Sequence, residues 1–193
     1  ANSPFRTLAD LAEAARRNPV MYGSSGVGSA PHLLGAMLAS EARASFLDHV
    51  PFRGSAQAMQ DMLAGDIQSM IDPITTNVQQ IRAGAIRGLA VTAPQRLGAL
   101  PDVPTFAEQG FPRLTSSQWL GLSGPKGLPQ PVVERLTAVV PQILQDPALR
   151  ARVEEMASPP RLPPLLGDAF AQTMREQIAQ WTAVARQFNI SVS

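Results

Sequence analysis

Residues 20–38 constrain the fold more than any other stretch. Val20-Met21-Tyr22 is an apolar lead-in of strand type. A turn rich in glycine and serine follows, Gly23-Ser-Ser-Gly-Val-Gly-Ser29, and Pro31 then opens an apolar run at helical spacing, Leu33, Leu34, Met37 and Leu38. The order is strand, tight loop, helix N-terminus. The first N–H groups of a helix lack internal partners, and the dipole there favours negative charge. The loop is therefore an expected seat for a carboxylate or phosphate without Lys or Arg. The groups that would hold it are the hydroxyls of Ser24, Ser25 and Ser29 and the N–H groups of Gly26 to Ser29, Gly28 among them. The same residues also suit a plain βα turn in which Ser29 caps the helix. A nucleotide loop is not indicated: Gly23, Gly26 and Gly28 match neither GxGxxG nor a Walker loop.

The rest of the first half repeats the alternation. Leu8, Leu11, Ala12 and Ala15 mark a helix that ends near Asn18-Pro19. The helix after the loop runs from about Ser29 to Ser40. Phe46 to Phe52 reads as a strand. Gly54-Ser55 starts a helix with Ala58, Met59, Met62 and Leu63 on one face, closed by Gly65. Ile67 to Ile71 reads as a strand, Asp72-Pro73 opens a helix with Val78 and Ile81, and Ile86 to Thr92 reads as a buried strand. Such spacing implies βαβ units and a mostly parallel sheet. Ligands of open parallel sheets bind outside the carboxyl ends of the strands. The loops there are Ser24–Ser29, Phe52–Ser55 and Asp72–Thr76, which adds Gly54, Ser55 and Asp72 to the expected binding residues. Asp72 before Pro73 is also a helix N-cap by type.

After Thr92 the character changes. Residues 93–113 are punctuated by Pro94, Pro101, Pro104 and Pro112, with a helical turn at Thr105–Gln109, and Ser116 to Ser123 is extended. Gln130 to Gln145 carries an apolar helical pattern with Pro141 inside it, which should kink or shorten the helix. Phe170, Met174, Ile178, Trp181, Val184 and Phe188 form an apolar stripe expected to pack into a core. No strand accompanies this helical tail, so it needs a covering surface.

Composition removes whole classes of function. Sixteen basic against fifteen acidic residues, scattered singly, give no nucleic-acid patch. The absence of cysteine excludes disulfides, thiolate metal sites and thiol catalysis. His32 and His49 are the two histidines, without metal-ligand spacing or a nearby acid pair, so no metal or cofactor is expected. Gly23-Ser24-Ser25-Gly26 is not the G-x-S-x-G elbow of a hydrolase. An enzyme is the disfavoured class.

Taken in order, several motifs resemble the Bug family, the periplasmic solute-binding proteins of tripartite tricarboxylate transporters. They are Tyr22 to Ser29 with His32; His49-Val-Pro-Phe-Arg-Gly54; and Asp61-Met-Leu-Ala-Gly-Asp66 followed by Met70-Ile-Asp72. Further along come Gly84 to Thr92, Leu100-Pro-Asp-Val-Pro-Thr105, Ser117-Gln-Trp-Leu-Gly-Leu122 and Gly124-Pro-Lys-Gly-Leu-Pro129. The resemblance implies an α/β fold of the type II periplasmic-binding-protein kind: a mostly parallel sheet flanked by helices, with a helical C-terminal tail. The chain looks like the last two-thirds of a two-domain protein. Residues 1–116 correspond to domain two, and 117–193 to a crossover strand and helices that would return to domain one.

The function so implied is non-catalytic binding of a small organic acid in the periplasm for delivery to membrane permease subunits. The alternative is a truncated or sensor-like interaction module that no longer binds solute tightly. Without domain one, the tail is expected to pack on domain two or to support self-association. Arg53 is expected at the surface or in a hinge salt bridge, His32 in a structural role, and Ser117 and Trp119 at the crossing between domains.

Overall fold

A computed structural model describes residues 3–191. The first helix, α1 (Leu8–Arg17), starts at a reciprocal cap. Thr7 Oγ1 accepts the Asp10 N–H at 3.1 Å, and the Asp10 carboxylate accepts the N–H groups of Arg6 and Thr7. Those backbone donors hold the Asp10 carboxyl below its ordinary value. The face expected to be buried, Leu8, Leu11, Ala12 and Ala15, is buried.

Five elements then build the sheet and its crossovers: β1 (Val20–Ser24), α2 (Ala30–Glu41), β2 (Leu47–Pro51), α3 (Ser55–Ala64) and β3 (Ser69–Met70). The strands are parallel in the order β2-β1-β3, with Tyr22 opposite both His49 and Ser69. The α/β class with a parallel sheet flanked by helices is therefore observed. Helix α4 (Ile74–Arg82) follows β3. Local chemistry sets these boundaries. Ser29 is the N-cap of α2 with Pro31 in its first turn, and Gly65 ends α3 at φ +91, a left-handed cap that glycine adopts without strain. Gly35 lets α2 lie on β1, since a Cβ there would sit 2.2 Å from the Tyr22 ring.

The core follows this layering. Leu8, Leu11, Val20, Tyr22, Leu34, Leu38 and Phe106 form its main cluster, with smaller clusters around Val78 and around Phe52 with Ala58. Gln109 fastens the start of α1 to the stretch that follows α4. Its side-chain oxygen accepts the Leu8 N–H, and its amide donates to the Leu89 carbonyl at 2.7 Å.

Three expectations need correction. The strand read at Ile67–Ile71 pairs only at Ser69–Met70. The strand read at Ile86–Thr92 forms no ladder; its Val91 makes a single bridge to Thr105. An apolar run becomes a strand only where a neighbour offers a row of backbone partners, and here the turn at 104–106 meets Val91 alone while Ser116 donates to the Thr92 carbonyl. On α3 the single buried residue is Ala58, while Leu63 is exposed.

Beyond a 3-10 turn at Pro112–Leu114, residues 116–123 are extended and unladdered. The tail holds α5 (Gln130–Ile143), α6 (Pro147–Glu155) and α7 (Gly167–Gln187). Pro141 does not stop α5, which ends two residues later. The stripe expected to be core is not: no residue of α5, α6 or α7 is fully buried, and Ile178 is 63% exposed. The described chain supports the tail in two places, one of them at Ala157, which is buried just after α6 in the cluster with Val78 and Val91. Helix α7 lies on α2, and Trp181 packs against the main core. Trp119 joins the tail, edge-on to Phe170 and donating from Nε1 to Gln177 at 2.7 Å.

Candidate functional site

The Ser24–Ser29 loop is braced from within. Ser29 Oγ donates to the Gly26 carbonyl at 2.7 Å and accepts the His32 N–H at the start of α2. Gly26 N–H donates to Ser24 Oγ, Gly28 N–H donates to His32 Nδ1 at 3.1 Å, and Ser29 N–H donates to the Gly26 carbonyl. Gly26 and Gly28 take positive φ, +140 and +74, which glycine supplies freely. Three of the four N–H groups expected to grip an anion are thus engaged inside the loop. Those of Ser25, Val27 and Ala30 have no internal partner among the described residues.

Beneath the loop sits a pair of histidines that the sequence did not bring together. His32 on α2 and His49 on β2 stack with centroids 3.7 Å apart and planes 9° from parallel, and Tyr22 tilts against His49. Ser24 Oγ lies 2.6 Å from His49 Nε2. Ser29 already serves the Gly26 carbonyl at shorter range, so Ser24 gives its proton to His49. Both imidazoles therefore act as acceptors and are neutral. Burial, and then repulsion from His32 once it is protonated, pushes His49 down to about 4; burial alone lowers His32. Burial also raises the Tyr22 phenol.

A serine beside a histidine invites a catalytic reading, and the geometry rejects it. Ser24 is fully buried, and among the described residues no acidic group acts on His49 to orient it. The pair is a brace for the loop.

Asp72, expected as an N-cap or a ligand contact, is not the cap of α4. It makes no cap bond to backbone; α4 has Pro73 as its cap residue. Its carboxylate collects three side-chain donors: the Ser55 hydroxyl at 2.5 Å, the Thr76 hydroxyl, and the Asn77 amide at 3.0 Å. Ser55 opens α3 after β2, while Asp72 follows β3. Because β1 lies between those strands, this bond crosses the carboxyl end of β1 and ties the starts of α3 and α4. Gly54, the cap residue of α3 at φ +112, makes no side-chain cap. A negative charge at two helix starts is where the helix dipoles favour one.

The expected residues fall into two groups. Ser24, Ser25, Gly26, Gly28 and Ser29 form the loop over β1, and Ser55 with Asp72 forms a bridge beside it. Gly26 lies 3.6 Å from the Phe52 carbonyl when a Cβ is placed on it, so the β1 and β2 loops adjoin. A cavity of about 1160 Å³ lies elsewhere, between β3 and residues 85–93; of the expected residues it touches only Asp72. No group of metal-ligating side chains occurs among the described residues, nor any helix long and apolar enough to cross a membrane.

Comparison with known proteins gives a consistent answer. The model of the tripartite tricarboxylate transporter family receptor, TctC, matches residues 1–190. A Pseudomonas sp. (strain P51) protein encoded in the tcbD-tcbE intergenic region is 35% identical over the whole chain, which spans 57% of that relative. Protein BugT of Bordetella pertussis is 29% identical over 90% of this chain and 52% of its own length. Among solved structures, one described as a periplasmic transporter aligns over all of this chain and 64% of its own, with TM-score 0.90 and 32% identity. Rpa4515 of R. palustris with adipate aligns over 98% of this chain and 63% of its own, with TM-score 0.83 and 29% identity. MatC of Rhodopseudomonas palustris with bound malate aligns over 94% and 62%, with TM-score 0.81 and 26% identity. The chain thus spans between about half and two thirds of the length of these proteins. It belongs to the TctC/Bug family of periplasmic solute-binding receptors, a family of non-catalytic proteins.

Proposed function

We propose that this chain is the domain-two part of a periplasmic receptor that binds a small carboxylate and hands it to the permease subunits of a tripartite transporter. In this reading residues 1–116 are domain two, and 117–193 are the crossover and the helices that return to domain one. The observation that carries it is the loop over β1. It is held rigid by Ser24, Ser29, His32 and His49, yet keeps the Ser25, Val27 and Ala30 N–H groups unengaged at the N-terminus of α2. Ser24, Ser25, Gly26, Gly28 and Ser29 form the seat of the carboxylate. Gly54, Ser55 and Asp72 border it, and no cofactor or metal takes part. The adipate and malate seen with two family members support the ligand class.

The test is calorimetry with adipate, malate and citrate on the chain and on Ser29→Ala. Ser29→Ala removes the hydroxyl that braces the Gly26 carbonyl and caps α2, so a carboxylate held by the Ser25, Val27 and Ala30 N–H groups should bind several-fold more weakly. Unchanged affinity with the fold intact removes the assignment of the loop. A second reading, an interaction module that self-associates through its tail, is favoured by the exposed apolar residues Val132, Leu136, Ile143 and Ile178. It predicts a concentration-dependent mass by light scattering and no heat from any of the three acids.

A further inference from the structure

One brace of the loop depends on an acceptor that a proton abolishes. Gly28 N–H donates to His32 Nδ1 at 3.1 Å. A backbone N–H can only donate, so Nδ1 carries a lone pair and the neutral ring keeps its hydrogen on Nε2. A second proton can enter the ring only at Nδ1. There it faces the Gly28 N–H, donor against donor, and the bond is lost. His49 differs. A proton on its Nε2 meets a hydroxyl, and Ser24 Oγ can accept it while turning its own hydrogen to the Gly26 carbonyl, 3.2 Å away. Of the two histidine bonds, only that of His32 must break.

The shape of the loop hangs on that bond. It fixes Gly28 at φ +74, between the unengaged N–H groups of Val27 and Ala30. The surroundings do little to hold a cation on the ring. From β2, His49 stacks on it with centroids 3.7 Å apart, so a charge on one ring opposes a charge on the other. From β1, Tyr22 gives its hydroxyl to the His32 carbonyl at 3.2 Å, not to the ring. The turn at Pro112–Leu114 and α7 also lie on α2. Arg113 pairs there with Glu41, at the far end of the helix. Neither Asp48 on β2 nor Asp168, Arg175, Glu176 or Arg186 on α7 acts on either ring, and burial favours the neutral form of both.

We propose that His32 is a positioning residue that gates the carboxylate seat: its neutral ring holds Gly28 and keeps the loop formed, and a proton taken up at Nδ1 as the pH falls opens the loop and releases the bound acid. This gating rests on the loop being the seat of the carboxylate. An imidazolium attracts a carboxylate, but here the cation arises only by giving up the bond that shapes the seat. The bound form therefore keeps the ring neutral, and affinity falls with pH, by at most about tenfold per unit for one linked proton.

The test is calorimetry with adipate and malate at pH 7.5 and 4.5 on the wild-type chain, His32→Ala and His32→Asn. Each form is judged by its own ratio of affinities at the two pH values, so that the titration of the acid itself cancels between forms. The wild-type ratio should exceed that of His32→Asn by at least about threefold. His32→Ala should bind weakly at both pH values with no added drop. The asparagine, which returns an oxygen acceptor but does not titrate, should bind more tightly than the alanine. In the wild-type chain, the Gly28 amide followed by NMR should shift with the same midpoint as the His32 ring, a reading that needs neither variant to fold. Equal ratios for wild type and His32→Asn overturn the gate and leave the seat standing. So does a wild-type affinity that rises at pH 4.5 relative to the asparagine form, or a Gly28 amide that ignores the titration of His32. No binding of either acid by the wild-type chain at pH 7.5 removes the seat itself, and the gate with it.

Discussion

Replacing His49 by glutamine should flatten the pH dependence of stability between pH 6.5 and 4.5. In the folded chain His49 accepts the Ser24 proton, stacks on His32 and is held near 4, against 6.5 when free. In that interval the unfolded chain binds a proton at His49 and the folded chain does not. Stability therefore falls as pH drops through 6.5 and continues falling towards 4. At about 1.4 kcal/mol per pH unit the whole interval corresponds to about 3 kcal/mol. The ring is only part buried, and solvent screening reduces this to about 1–2 kcal/mol. His32, also depressed, adds to the loss in the same direction. The lowered carboxyls, Asp10 and Glu108, contribute stability that is lost only at lower pH, below their ordinary values of 3.8 and 4.5. The window thus isolates the histidines. The glutamine amide keeps an acceptor for Ser24 but does not titrate. Thermal unfolding followed by circular dichroism at half-unit steps should show the wild-type Tm falling by about 3–6 °C more than that of His49→Gln. Equal slopes for the two proteins would refute the reading that burial beside His32 holds His49 neutral.

Gly35→Ala should lower stability by at least about 1–3 kcal/mol, because its Cβ would meet the Tyr22 ring; the urea midpoint should drop with its slope unchanged. Asp72→Asn presents an amide to three donors, Ser55, Thr76 and Asn77. It should cost about 1–2 kcal/mol and speed hydrogen exchange in the first turns of α3 and α4 by mass spectrometry. Trp181→Ala should loosen α7 from the core, accelerating exchange along α7 while leaving β1 amides protected.

What could be read in the sequence was whatever chemistry is local. Ser29 with Pro31 and Gly65 fix helix ends through their own side chains and φ angles, and these elements lie where their signals put them. The run at 86–92 carries every intrinsic mark of a strand, but a ladder requires a neighbour, which no single segment encodes. The histidine pair was illegible for a related reason. His32 and His49 meet only once β1 and β2 have aligned Tyr22 with His49. Asp72 has the local marks of a backbone cap, but the Ser55 hydroxyl that claims it comes from across the sheet. The tail stripe showed that it needed a cover without showing which surface provides it.

Gln109 gives the domain a timetable. Its two side-chain bonds join Leu8, 101 positions earlier, to Leu89, 20 positions earlier. During synthesis at about 5–20 residues per second, Leu8 waits on the order of 5–20 s for its partner. Through that interval the three strands can find one another, but the first helix has an unclaimed amide at its start. The nascent chain therefore acquires this closure from a residue in an irregular turn, well after β1, β2 and β3 have been made.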